Sequence, residues 1–386
     1  MWIPRAIEPR LRQLAATRPV VVLTGARQTG KTSTLRRLFP DHDFVSLDLP
    51  SEAEQAEKEP GVFRQRHPPP VVLDEVQYAP ALFRHLKAVV DARRDRAAQF
   101  LITGSQKFTL MKGVSESLAG RAAILELEPL AFDEVRAARP QTPLLGFIVR
   151  GGMPELHARE DLEVVSFQNS YLATYLERDV RTLANVGSLR DFERFLRACA
   201  LRSANLLNRA DLARDVGIAP STANQWLSIL EASGQVTLLE PWFSNRTKSI
   251  VKSPKLYLND PGLLCALLNI RDAASLRSAP SAGAVWETFV LAQLRHRERV
   301  AGRARSLFFW RDRTREVDFL AEAAGRIELF EAKWTELPDA TDLVNLRFAR
   351  EALGRAKVSS AAVVCRARNG FPLEDDCRAV PVEELS

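Results

Sequence analysis

Five short, almost uninterrupted apolar runs punctuate the first 150 residues, at 20–23, 44–47, 71–73, 100–102 and 124–127. Runs this brief and this apolar predict strands buried on both faces of a parallel sheet. Helical patterns at about 31–38 and 80–93 lie between them, so strand and helix alternate as in an open α/β sheet. The tract Pro68-Pro69-Pro70 enters the third strand as a loop. After Gly151-Gly152 the pattern changes to long helical stretches, including 162–183, which sets a first domain boundary. Residues 191–258 then read as helix, helix, turn, helix and two strands. A short helix at 211–218 ends in glycine, and a second at 221–230 has Ala219-Pro220 as its approach and Ser221 as its cap. Strands follow at 235–239 and 255–258. Further on, Trp286-Glu287 sits on an apolar helical stretch, and 315–320 and 328–334 read as strands.

A length of 386 residues predicts two to four domains, and 46% hydrophobic with 26% charged residues is ordinary globular composition. It excludes collagen-like, low-complexity and wholly disordered classes. No apolar run approaches the roughly 18–20 residues that span a bilayer, and the opening residues lack the build of a signal peptide, so a cytoplasmic protein without a membrane partner is expected. Cys199, Cys265, Cys365 and Cys377 have no C-x-x-C spacing and read as buried thiols. Charge adds more. Residues 295–315 hold eight arginines against Glu298 and Asp312, so one stretch matches the whole chain's net charge of +6. A second basic segment, 242–256, carries Arg246, Lys248, Lys252 and Lys255 with Trp242 and Phe243 and no acid. Both are candidate nucleic-acid faces, with a solvated surface as the alternative.

Directly after the first strand comes Gly25-Ala26-Arg27-Gln28-Thr29-Gly30-Lys31-Thr32, a full match to G-x-x-x-x-G-K-[ST] between a strand and a helix. In such a loop the backbone N–H groups and the helix N-terminus face phosphates. Lys31 supplies a point charge to the β/γ oxygens and Thr32 a hydroxyl to Mg²⁺. Thr34 is counted with the nucleotide-binding set. The third strand ends in Asp74-Glu75, which places two carboxylates beside that loop: Asp74 for the Mg²⁺ shell and Glu75 to polarise the attacking water. The fourth strand runs into Thr103-Gly104-Ser105, where Ser105, or Thr103 in second place, offers a hydroxyl to the water or γ-phosphate.

In this order the elements resemble the core of AAA+ ATPases. Leu118-Ala119-Gly120-Arg121, Gly151-Gly152-Met153-Pro154-Glu155 and Tyr175-Leu176-Glu177-Arg178-Asp179 narrow the resemblance to a group of bacterial and archaeal AAA+ ATPases. That group follows its ATPase with a winged helix and a restriction-nuclease-like domain. The resemblance covers nearly the whole chain. It implies an α/β fold with a parallel AAA+ core at 1–150, a helical lid at 151–190, a winged helix at 191–270 and a small α/β nuclease-like domain at 271–386. It further implies ATP and Mg²⁺ as cofactors and Pro154 as a contact for adenine, a plain turn being the alternative. An arginine finger, Arg121 before Arg178, would be supplied between subunits of a homo-oligomer, most readily a hexamer. A structural salt bridge is the alternative for each arginine.

The winged-helix reading puts Ser221, Thr222, Asn224 and Gln225 outward and assigns phosphate contact to Arg246, Lys248, Lys252 and Lys255 of the wing, with little base readout. In the last domain Asp318, Glu331 and Lys333 resemble the D…E-x-K core of restriction-like nucleases, with Glu287 as the helix-borne acid of a possible second metal site. Three function classes follow: an oligomeric ATPase working on DNA, a nucleotide-dependent switch whose winged helix contacts protein, and an ATP-gated nuclease. Glu75 favours the first.

Overall fold

The computed structural model describes residues 1–105, 107–175, 188–243, 253–303, 306–313, 315–374 and 376–385, and the side chains of 107–109 fall outside that description. The chain divides into two compact units, Met1–Leu130 with Ala232–Gly234, and Ala131–Glu231 with Gln235–Ser386.

The first unit is built on β1 (Val20–Thr24), β2 (Asp43–Ser46), β3 (Val71–Asp74), β4 (Phe100–Gly104) and β5 (Ala122–Glu126). All pairings are parallel, in the order β2-β3-β4-β1-β5. This is the predicted α/β sheet, flanked by helices. β1, β3 and β4 are buried along their length because helices cover both faces. The expectation of two buried faces fails for β2 and β5, which the strand order leaves at the edges; Ile124 of β5 is 45% exposed. The helix Leu82–Ala92 turns Leu82, Phe83, Leu86 and Val90 into the core beside Val71, Leu73, Phe100 and Ile102.

The second unit starts ahead of Gly151-Gly152, and its core shows why. Phe132 and Phe147, on helices Phe132–Ala138 and Leu144–Arg150, pack on Phe289 of the long helix Ala282–Val300. Gly151 and Gly152 serve a close approach. Gly152 N–H donates to the buried Asp260 carboxylate at 2.7 Å, and a Cβ on Gly151 would lie 2.3 Å from the same side chain. The predicted stretch 162–183 yields the helix Val164–Tyr175, and the rest of it lies outside the described residues, as does Arg178.

His157 stacks on Phe147 and bonds the Gly151 carbonyl at 2.6 Å. Burial, aided by the charges of Arg150 and Arg139, pushes its pKa down from 6.5 to about 4 against the Gly151 bond. Between those values the unfolded chain binds more protons. Stability is therefore full above pH 6.5 and falls as pH drops toward 4, by up to about 3 kcal/mol. Urea unfolding at a series of pH values should show this fall, and His157→Gln should flatten it.

The middle of this unit runs helix Leu189–Ala200, β6 (Asn205–Leu206), helix Arg209–Val216, helix Pro220–Ala232, β7 (Val236–Leu239) and β8 (Lys255–Leu258), with antiparallel order β6-β8-β7. Phe192 and Phe195 hold Trp226 at ring distances of 5.1 and 5.4 Å. Gly217, at φ 78°, closes the second helix in the left-handed conformation that glycine adopts without strain. The third helix begins at Pro220, so Ser221 lies inside its first turn rather than capping it.

The last part is a mixed sheet of β9 (Leu307–Asp312), β10 (Arg315–Ala323), β11 (Arg326–Ala332), β12 (Val358–Val364), β13 (Phe371–Pro372) and β14 (Cys377–Val380), in the order β13-β14-β12-β11-β10-β9. The helix Val344–Leu353 buries Leu346, Ala349 and Leu353 in its core, and Trp286 anchors the helix Ala282–Val300 through a bond to Val364 O. All four cysteines are buried and free, as expected. No helix among the described residues is long and apolar enough to cross a membrane.

Candidate functional site

The loop after β1 owes its shape to residues that only glycine replaces. Gly25 has φ 143°, and a Cβ there would stand 2.3 Å from Leu127 O; Gly30 at φ 92° caps the helix Lys31–Leu38. Within the curl Thr29 Oγ1 donates to Ala26 O, and Lys31 Nζ, 5% exposed, donates to Gly25 O at 2.9 Å and Ala26 O at 2.7 Å. The ammonium is thus held over the loop, and the helix N-terminus opens beside it. Arg27 and Gln28 form the loop's outer part, Gln28 at φ 60°. Thr34, on the same helix, is fully buried, as is most of Lys31.

β3 and β4 bring the acids and hydroxyls to this loop. Thr32 Oγ1 donates to Asp74 Oδ1 at 2.8 Å and Thr103 Oγ1 donates to the same oxygen at 2.5 Å. Glu75 leaves the strand in a left-handed conformation, φ 56° and ψ 46°, with its N–H on Thr103 Oγ1. Such a conformation is unfavourable for a non-glycine residue and persists where its surroundings impose it. Here the Glu75 carboxylate accepts from Ser105 N at 3.1 Å, Ser105 Oγ at 3.0 Å and Gln77 Nε2. Burial alone would raise the Glu75 pKa, but Gln77, the Lys31 charge and Ser105 outweigh it and hold the carboxyl below its usual range. At neutral pH it is an anion fixed by three donors.

Lys31, Thr32, Asp74, Glu75, Thr103 and Ser105 therefore converge as read from sequence. Thr32 and Asp74, one hydroxyl and one carboxylate sharing a hydrogen bond, are the hard oxygen donors that Mg²⁺ takes alongside water and phosphate. Two residues escaped the sequence reading. Gln77, 4% exposed, positions Glu75. Arg5, 5% exposed, donates through Nη1 to Thr29 O at 2.8 Å and through Nη2 to Glu128 O at 2.7 Å, pinning the phosphate loop to the segment after β5. No local pattern marks Arg5; its partners are 24 and 123 residues away in the chain.

Arg121 takes the structural alternative within its own unit: its guanidinium meets the Asp91 carboxylate through Nε at 2.6 Å and Nη2 at 2.9 Å. A finger role would require giving up that bidentate pair. Pro154 opens the short helix Pro154–Ala158 of the second unit. Arg246, Lys248 and Lys252 lie outside the described residues. Lys255 is a correction: it is 3% exposed and bound by Glu287, Glu316 and Asp318, so it does not meet phosphates. The flanking Trp242 is likewise drawn onto the last sheet, its N–H bonding Phe309 O and its indole bonding Glu322. Several arginines of the basic run are also paired, although Arg303 and Arg311 remain exposed. Arg297 and Arg303 pair with Glu298, Arg297 also with Glu328, Arg311 with Glu316, and Arg295 bonds Thr237 and Asn259. Glu316 and Glu328, outside the local charge count, offset part of it.

Around the nuclease-like residues, Glu331 Oε1 lies 3.1 Å from Lys333 Nζ, and Asp318 Oδ2 accepts from Ala332 N at 3.0 Å. Burial, then the neighbouring Asp318 charge, pushes Glu287 up to about 7 and Glu331 up to about 8, against their lysine partners.

Family models match the chain in three segments: an AAA domain over residues 17–136, a domain of unknown function (DUF8612) over 143–274 and another (DUF4143) over 282–385. The chain is 35% identical over 379 residues to the uncharacterized protein Rv2008c of Mycobacterium tuberculosis, covering 97% of this chain and 83% of that one. It is 24% identical over 332 residues to the uncharacterized protein MJ1544 of Methanocaldococcus jannaschii, covering 78% and 71%. Among solved structures it is similar to the Walker-type ATPase PABY2304 of Pyrococcus abyssi, at 17% identity and TM-score 0.48 over 69% of this chain and 96% of that one. It is also similar to the Thermotoga maritima RuvB Holliday junction branch migration motor, at 16% and 0.32 over 61% and 90%. The parallel strand order and the glycine-bracketed loop geometry define the fold. With an AAA-domain match lying over that sheet and a relative 35% identical across 97% of this chain, the chain belongs to the same family of AAA-type P-loop ATPases as the uncharacterized mycobacterial protein.

Proposed function

We propose that the protein hydrolyses ATP with Mg²⁺ and couples the cycle to DNA. The observation that carries hydrolysis is the fixed Glu75 carboxylate, held by Ser105 and Gln77 beside Lys31, Thr32 and Asp74. Lys31 and the loop N–H groups bind the β/γ-phosphates, Thr32 and Asp74 hold Mg²⁺, and Glu75 accepts the proton of the attacking water. The bound metal supplies charge neutralisation on the transferring phosphoryl group. Pro154 as a base contact and assembly into a homo-oligomer, a hexamer in the leading reading, belong to the same proposal.

The DNA part rests on the helix–strand–helix–helix–hairpin order of the middle segment, read as a winged helix. Ser221, Asn224 and Gln225 are exposed on its third helix, and Arg246, Lys248 and Lys252 lie between β7 and β8. Changing those three cations to Ala should weaken duplex binding for every sequence alike. It should also flatten the slope of log K against log[salt] by up to about 2.7, at about 0.9 per phosphate contact. Fluorescence anisotropy over a salt series measures this, together with ATPase rates with and without single-stranded, duplex and forked DNA. An unchanged slope and DNA-independent rates would favour a second reading, a nucleotide-dependent switch whose middle segment contacts protein. The burial of Lys255 and the pairing of Arg295, Arg297, Arg303 and Arg311 in the basic run support that alternative.

A further inference from the structure

We infer that Lys255 is the resident cation of the carboxylate cluster in the last sheet, which makes this part of the chain a metal-independent latch rather than a nuclease. The argument begins with alternation along β8: Lys255 and Tyr257 are two apart and share a face. Both reach Glu287 of the helix Ala282–Val300, through Nζ to Oε1 at 2.9 Å and through Tyr257 Oη to Oε1 at 2.6 Å. The same ammonium stands 2.7 Å from Glu316 Oε1 and 3.2 Å from Asp318 Oδ1, both on β10. A lysine has three N–H donors and no acceptor; here Glu287 and Asp318 accept hydrogen bonds from it and Glu316 completes the charge as an ion pair.

A divalent ion fails the fit test against this arrangement. Of the acids that would ligate it, Glu287, Asp318 and Glu331, the first two already converge on Nζ, so a metal shared by both would have to displace the ammonium. Asp318 Oδ2 is engaged by Ala332 N–H. Glu331 pairs with Lys333 through Oε1; its Oε2, buried without a hydrogen bond, is an acceptor left open, but Glu287 and Asp318, which would share an ion with it, are committed to the ammonium. Among the described residues no group of three or more His, Cys, Asp or Glu side chains is disposed to hold a metal. Lys255 is 3% exposed and makes no surface ion pair. It ties the strand that closes the middle segment to the helix and sheet that follow.

The test is Mn²⁺ binding by the full chain without nucleotide, read by electron paramagnetic resonance, alongside thermal unfolding. Wild type should bind no Mn²⁺ that depends on Asp318. Lys255→Met should lower Tm on the order of 10 °C, because it strands buried carboxylates. The same variant should gain about one Mn²⁺ per chain, lost again when Asp318→Asn is added. Should Lys255→Met fail to fold, adding Glu287→Gln, Glu316→Gln and Asp318→Asn removes the stranded charge and should restore folding. Asp318-dependent Mn²⁺ binding by wild type would overturn the inference. So would a folded Lys255→Met variant that takes up no Mn²⁺, or a charge-balanced variant that stays unfolded.

Discussion

Glu75→Gln is expected to bind MgATP within a few-fold of wild type and to turn it over about 10² to 10⁴ times more slowly, the range that a positioned general base contributes. The amide keeps the size of the carboxylate and can still accept from Ser105, so the nucleotide pocket should persist. What it loses is the anion that takes a proton from water. Lys31→Ala should act earlier: without the ammonium now held at Gly25 O and Ala26 O, the β/γ-phosphates lose their point charge and ATP affinity falls with the rate. Equilibrium titration with a fluorescent ATP analogue, paired with single-turnover hydrolysis, separates the two effects. Equal single-turnover rates for wild type and Glu75→Gln would remove Glu75 from the chemistry.

Arg5→Met should show that the phosphate loop is held from outside its own motif. The substitution keeps most of the apolar stem and removes a buried guanidinium whose two bonds, to Thr29 O and Glu128 O, join the loop to the segment after β5. Hydrogen bonds from charged groups are worth about 1.5–3 kcal/mol each, and both carbonyls would lose this donor. A loss of about 2–4 kcal/mol is expected, lowering Tm by roughly 5–10 °C for a unit of this size. Because one of those carbonyls belongs to the loop, ATP affinity should fall as well, and saturating MgATP should recover part of the Tm through binding linkage. A variant with unchanged Tm and unchanged ATP affinity would show that Arg5 is only packed there.

The sequence by itself determined the alternation of strands and helices in the first unit, the glycine-bracketed loop, and the acids and hydroxyls at the ends of β3 and β4. The helices and strands of the middle segment, and the outward Ser221, Asn224 and Gln225, were legible in the same way. These follow from local physics: a buried parallel strand must be apolar throughout, a phosphate loop needs glycine where the backbone curls, and a residue at a strand's carboxyl end inherits its place from the strand. Tertiary structure alone decided where the charges went. Lys255 reads as a wing cation in the chain, yet β8 alternation and the approach of Glu287, Glu316 and Asp318 bury it. Arg121 reads as a finger and meets Asp91, which is 30 residues away. Arg5 carries no pattern at all, and the basic run is matched by acids such as Glu328 on β11. Long charged side chains take their role from whichever opposite charge or carbonyl the fold brings within reach. That partner is set by strand order and helix packing across the chain, so no window of neighbouring residues contains it.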